Sequence, residues 1–285
     1  MTLALRQLYI LARVLRWPYF PEAWRGYETL DDRRAFTILG DSGSFLWSDF
    51  SRYVQEVLRI DETCFKEGIE IVHEGHVHFP TASLKEGAYC LFVQGDSKLL
   101  SSSMLAVVGS RELSDEIAEW MEKHLTRYLQ LSQDIVLSGA ARGTDQWAHR
   151  LALRTGLPTV AVLPSGLLNI YPREFQNWSK PVLEGGGLLV SSFLPQQSIR
   201  RYHFVERNRL LVQLSRSVFV AQARRQSGSM MTARMAQELN RPLLTLPVFP
   251  DNARANGNLD LLADGCILVR DYLDLLANYG ITKLS

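Results

Sequence analysis

From about Ala88 onward the chain alternates short, unbroken apolar runs with longer segments in which apolar residues recur every three or four positions. The runs are YCLFVQG, MLAVVGS, DIVLSG, PTVAVLP, GLLVSSF, SVFVAQA and PLLTLPV. Continuous Val, Leu and Ala without polar alternation mark strands buried on both faces. The intervening periodicity predicts helices near residues 116–131, 144–155, 204–214, 230–239, 259–262 and 272–279. Alternation of this kind predicts an α/β fold with a mostly parallel sheet and helices on both faces. Residues 1–75 read instead as short helices separated by turn signals such as Asp41-Ser42-Gly43-Ser44. The expected division is therefore a small, mainly helical N-terminal domain, residues 1–80, and a sheet domain, residues 81–285.

The first segment, MTLALRQLYILARVLRW, carries no acid until Glu22 and is interrupted by Arg6, Arg13 and Arg16. Those arginines break the apolar core that a signal peptide needs. A basic, acid-free start is also seen in organellar transit peptides, but the spacing predicts an amphipathic first helix. No apolar stretch reaches membrane-spanning length. Cys64, Cys90 and Cys266 are scattered and form no C-x-x-C. That pattern predicts reduced thiols in a cytoplasmic protein and excludes a disulfide framework or a cysteine-based zinc site.

Charge changes the picture through its distribution. The 285 residues carry a formal net charge of +1, which argues against indiscriminate nucleic-acid binding by bulk charge. Residues 22–74 hold twelve acids and six bases, whereas residues 200–234 hold eight arginines, one acid (Glu206) and no lysine. Such asymmetry predicts a localised anion site. Guanidinium forks hold phosphate oxygens and stack on bases, and the same stretch offers Tyr202, Phe204 and a glycine–serine turn. An arginine-rich, solvated helix with a buried Phe fits the composition equally well.

In a parallel sheet, ligands bind outside the carboxyl ends of the strands. Three such ends lead into small, hydrogen-bonding loops: Gly109-Ser110-Arg111; Ser138-Gly139-Ala140-Ala141-Arg142-Gly143-Thr144-Asp145; and Ser227-Gly228-Ser229. Glycine permits close main-chain approach, serine adds donors, and the following helix aims free N–H groups outward. Arg111 and Arg142 place cations at the same rim, so the three loops predict one shared anion pocket. On a helix, Phe204, Arg207 and Asn208 fall on one surface while Leu210, Leu211 and Leu214 form the packing stripe. Asp145 and His149, four residues apart, read as structural in the absence of a third ligand, and no metal site is expected. His73, His76 and His78 read as an exposed loop. The chain has no G-x-x-x-x-G-K-[ST], no G-x-G-x-x-G after its first strand and no G-x-S-x-G.

Taken in order, VVGSR, SGAARGTDQWAHRLAL, TVAVLPSGLLNIYP, FVERNRLLVQLS and SGSMMTARMAQE resemble the DprA/Smf family of DNA-processing proteins, over residues 79–276. The resemblance implies an extended Rossmann-like domain that binds single-stranded DNA as a homodimer. It further implies a recombination mediator that protects incoming DNA and loads RecA in natural transformation, with no catalytic activity and no cofactor. Carried onto this sequence, the DNA pocket would involve Gly109, Ser110 and Arg111, with Ser138, Gly139, Arg142 and Gly143. It would also draw on Arg200 or Arg201, on Phe204, Arg207, Asn208 and Arg209, and on Ser227, Gly228 and Ser229. The chain departs from the family where Ser192 and Gln222 stand at positions that commonly carry Glu. It departs again at Pro247-Val248 and at Gly257-Asn258-Leu259. Two rival readings remain: a nucleotide sensor or phosphoribohydrolase-like enzyme on a related Rossmann domain, and a partner-binding scaffold without DNA affinity.

Overall fold

The central strands of the sheet bury both of their faces, and this decides where everything else sits. The computed structural model describes residues 2–16, 20–40, 47–84 and 89–279. In chain order the elements begin with β1 (Thr2–Ala4), α1 (Leu5–Val14), β2 (Thr29–Asp31), α2 (Asp32–Gly40), α3 (Trp47–Lys66) and β3 (Glu70–His73). Next come β4 (Cys90–Gly95), β5 (Met104–Gly109) and α4 (Asp115–Trp120), which continues through a π-helical turn (Met121–Leu125) into α5 (Thr126–Ser132). They are followed by β6 (Ile135–Ser138), α6 (Thr144–Arg154), β7 (Thr159–Val162), α7 (Gln176–Glu184), β8 (Leu188–Ser191) and α8 (His203–Leu214). The last are β9 (Ser217–Gln222), α9 (Gly228–Glu238), β10 (Leu243–Thr245), α10 (Asn256–Ala263), β11 (Ile267–Leu268) and α11 (Tyr272–Tyr279).

Nine strands form one sheet in the order β11-β10-β9-β5-β6-β7-β8-β4-β3. From β11 to β8 every pairing is parallel, and β4 and β3 add an antiparallel edge. All seven apolar runs are strands here, β4 to β10. The chain moves one way through β5, β6, β7 and β8, then returns to the other side of β5 as β9. The order therefore reverses between β5 and β9, the position at which doubly wound sheets open a binding crevice.

Period-two alternation assigns the side chains to layers. Ala106, Leu137, Val160 and Val220 face α8 and α9 through Leu211, Leu214, Ala233 and Ala236. Leu105, Val107, Val136 and Phe219 face the α4–α5 helix, α6 and α11. A third cluster joins Phe92, Ala161 and Leu189 of the sheet to Leu8, Leu11, Phe20, Trp24, Phe50 and Val57 of the N-terminal segment. Helix α1 is amphipathic as the sequence predicts, burying Leu8, Tyr9, Ile10, Leu11 and Ala12.

The N-terminal segment is less simple than a run of short helices. It contains a two-stranded antiparallel ribbon, β1 with β2, and α3 alone runs for 20 residues. The Asp41-Ser42-Gly43-Ser44 turn lies outside the described residues. His73 corrects the exposed-loop reading. It ends β3, is buried, and stacks on Tyr9 with ring centroids 4.5 Å apart. Burial, then the neighbouring His76, lowers its pKa to about 4. Helix α7 has no counterpart in the sequence reading, because Pro181 interrupts its helical pattern.

Candidate nucleic-acid interface

The three glycine–serine loops follow β5, β6 and β9, which are distant in sequence and adjacent in the sheet as β9-β5-β6. The β5–β9 register shifts at Gly109, so the end of β5 bulges where the crevice opens. Ser229 Oγ donates to the Gly109 carbonyl at 2.8 Å and ties the β9 loop to the β5 loop. On the other side, Thr144 N and Oγ1 donate to the Ser110 carbonyl at 3.0 and 3.2 Å. Gly143 adopts φ +77°, and a side chain there would drive into the Ser110 and Arg111 backbone. The Ser110 hydroxyl accepts from Glu112 N at 3.1 Å.

The two helix ends at this rim differ. In α6 the first and third N–H groups are taken up, Thr144 N by the Ser110 carbonyl at 3.0 Å and Gln146 N by the Ala141 carbonyl at 3.3 Å. Ala141 N in the preceding loop donates to Asp145 Oδ2 at 3.3 Å. The α9 end is open. Ser227 Oγ accepts from Met230 N at 3.3 Å, while the N–H groups of Gly228 and Ser229 have no partner among the described residues. Gly228 is exposed with open space around it. Free N–H groups at the positive end of a helix dipole form an anion-accepting surface.

Arg111 is exposed, lies 6.0 Å from the centroid of the half-buried Phe204 ring, and makes no salt bridge among the described residues. That distance is at the limit of cation–π contact. Tyr171 meets Phe204 edge-on at 5.9 Å, giving the rim a second ring that the sequence reading did not single out. Its only signal was its place in the string after β7. Arg142 is exposed in the loop that packs on Ser110 and Arg111.

Arg207 and Asn208 are buried, not displayed on a surface as predicted. Arg207 Nε donates to Asn208 Oδ1 at 2.8 Å, and Nη1 donates to the Val162 carbonyl at 3.1 Å. Burial lowers the pKa of this guanidinium, and the adjacent Asp145 opposes that shift. A Cβ on Gly139 would overlap Arg207 Nη1 and lie 2.5 Å from Asp145 Oδ2, so glycine is what lets the two meet. Burial lifts the Asp145 carboxyl to about 6 against the pull of Arg207 and Arg111. Asp145 is therefore the counter-ion of the rim, a role beyond terminating its loop. His149 has the structural role expected: it is fully buried, with Nδ1 2.7 Å from Thr159 Oγ1 and Nε2 2.7 Å from the Gly139 carbonyl. Burial brings its pKa down to about 4. Ser138 is also internal, its hydroxyl donating to the Val107 carbonyl at 2.5 Å.

The arginine strip is not one surface. Arg216 sits at the opposite end of the sheet, bonded to Asp134 at 3.0 Å and to Tyr128. Arg224 pairs with Glu112 and Arg225 with Asp260. Arg200, Arg201 and Arg209 make no salt bridge among the described residues. Arg209, two residues past Arg207, points to the far flank of α8. The positions without the family's acids are also occupied: Gln222 Oε1 accepts from Ser114 N at 2.9 Å, and the Ser192 carbonyl accepts from Arg13. Among the described residues no group of three or more His, Cys, Asp or Glu could hold a metal ion, and no helix is long and apolar enough to cross a membrane.

Fold and rim together define a doubly wound α/β domain with an open crevice at its switch point. The chain belongs to the DNA recombination-mediator protein A family, whose sequence profile matches residues 71–280, and thus to the DprA/Smf DNA-processing proteins that its motifs resemble. It is 38% identical to protein Smf of Escherichia coli K12 over 66% of this chain and 50% of that protein. Against DNA processing protein DprA of Streptococcus pneumoniae it is 33% identical, over 66% of each chain. The chain thus spans half to two thirds of these relatives. The X-ray structure of DprA from S. pneumoniae superposes with a TM-score of 0.72 at 25% identity, covering 95% of this chain and 90% of that one. DNA processing protein A from Helicobacter pylori, whose structure addresses its single-stranded DNA binding mode, gives 0.65 at 27% identity. That match covers 74% of this chain and 95% of the other.

Proposed function

We propose that this chain binds single-stranded DNA along the β9-β5-β6 rim and acts as a recombination mediator without catalysing a reaction. The observation that carries the reading is the convergence of three features at one switch point. These are the open α9 N-terminus, the unpaired Arg111 beside Phe204, and the exposed Arg142. Phosphates would meet the Gly228 and Ser229 N–H groups and the two guanidinium groups, and a base would stack on Phe204. Only an unstacked base can do so, which favours single strands. Arg207 and Asn208 support the pocket from within. Arg200 and Arg201 lie on the approach to α8.

Membership of the family and the single-strand binding mode studied for the H. pylori relative support this reading. Protection of incoming DNA, loading of RecA in natural transformation, action as a homodimer and a cytoplasmic location are the finer parts of the proposal. So is the division into residues 1–80 and 81–285. Fluorescence anisotropy with matched single- and double-stranded oligonucleotides tests the core of it. The single strand should bind tighter, and Arg111→Ala should lower the salt slope by about 0.7 for each phosphate the side chain neutralised. Phe204→Ala should cost about 1–3 kcal/mol for the stacked base. Equal binding of both forms, or an unchanged slope in Arg111→Ala, refutes it.

A further inference from the structure

Helix α8 has two flanks. At 3.6 residues per turn, Phe204 and Arg207 turn toward the rim and the sheet, while Tyr202, Glu206 and Arg209 project on the other side. That second flank is one wall of a cleft of about 1680 Å³, and the opposite wall is the N-terminal segment. Arg16 and Arg59 stand on the N-terminal wall, and Arg200 and Arg209 on the other. None of these four has an acidic partner among the described residues. Glu62 is taken up by Lys66 at 2.7 Å, so Glu56 and Glu206 are the remaining carboxylates of the lining.

This arrangement runs against the charge of the segment that builds it. Residues 22–74 carry twelve acids and six bases, so a wall that merely packed beside the arginine strip would turn carboxylates toward it. Helix α3 contributes Arg52, Arg59 and Lys66 to the lining against Glu56 and Glu62, so a net acidic segment presents a net positive wall. Like charges facing each other across an open cleft repel unless an anion lies between them. Size decides which anion. Small-molecule pockets run from about 300 to 1,000 Å³. This cleft exceeds them, and its α3 wall between positions 52 and 66 is about 21 Å long. A chain-like polyanion fits those dimensions. Tyr202, 48% exposed, offers a ring face inside the cleft. It stands two residues before Phe204, so only the N-terminal end of one helix, about 10 Å across, separates the cleft from the rim.

We propose that a single strand engaged at the rim crosses the N-terminal end of α8 and continues into this cleft. There Arg59 and Arg16 meet its phosphates from one side and Arg200 and Arg209 from the other. This inference rests on the single-strand reading of the rim. The cleft makes the N-terminal segment part of the nucleic-acid surface.

The test compares oligothymidylates of roughly 6 and roughly 20 nucleotides, lengths that fill one site and overrun it, by anisotropy on the full chain. Arg59→Glu should weaken binding of the longer strand about tenfold, lower its salt slope, and leave the shorter strand unchanged. Arg59→Gln should fall between wild type and Arg59→Glu. Both substitutions are at an exposed, unpaired side chain, and unchanged thermal melting establishes that they fold. Arg111→Ala should weaken both strands. If Arg59→Glu leaves the longer strand unaffected, or weakens both lengths equally, the cleft path is overturned while an effect of Arg111→Ala keeps the rim. If Arg111→Ala changes neither length, the rim reading itself fails.

Discussion

One carboxylate sets the charge of the rim. Asp145 lies against Gly139 among the guanidinium groups of Arg207 and Arg111, and burial raises its pKa from 3.8 to about 6. At pH 7 it is ionised and offsets one cation. As pH falls through 6 it takes up a proton, and the rim becomes one charge more positive. Single-strand affinity at fixed salt should therefore rise several-fold between pH 7 and pH 5, and Asp145→Asn should bind tightly across that range with no such rise. His149, at about 4, stays neutral in this window. The two groups also act on stability with opposite sign. The contribution of Asp145 is full below about 3.8 and is lost as pH rises through about 6. That of His149 is present above 6.5 and is lost as pH falls through about 4. Gly139 and Gly143 are legible in the sequence as points of close approach, because only a missing Cβ allows such contacts. The inward turn of Arg207 is not legible. Composition counts guanidinium groups without saying which one a neighbouring carboxylate and a strand-end carbonyl have drawn out of solvent.

Among the elements, α9 carries the most chemistry at its first turn. Ser227 caps it and Ser229 ties it to β5, so the two serines have separable effects. Ser227→Ala should cost about 1 kcal/mol in urea unfolding through loss of the cap. Ser229→Ala should weaken strand binding with a smaller change in stability, since it frees the two loops to separate. The strands β4 to β10 are readable because unbroken Val and Leu runs have few other uses. Helix α7 is hidden by Pro181, and β3, only four residues long, is hidden by the histidines that follow it. Periodicity needs several turns or alternations to rise above noise, and these elements are held by what packs on them. Phe175 and Val182, both fully buried, anchor the α7 region.

At the scale of the whole molecule, the N-terminal segment and the sheet share one apolar cluster that includes Phe20, Trp24 and Phe50 on one side and Phe92, Ala161 and Leu189 on the other. Deleting residues 2–66 should therefore lower the melting temperature and raise the fluorescence of a dye that binds exposed apolar surface. An unchanged melt would show that the cluster adds nothing to the sheet. The sequence changes pattern near residue 80 but carries no sign of this packing, since hydrophobic periodicity says which face is buried and not what covers it. The bond from Ser229 to Gly109 spans 120 residues of chain. A growing polypeptide on the ribosome thus holds the β5 and β6 loops long before the one that locks them. Until α9 has left the exit tunnel the crevice lacks the third of its loops, and an incomplete chain released early would carry the β5 and β6 loops without the bond that ties them to the β9 loop.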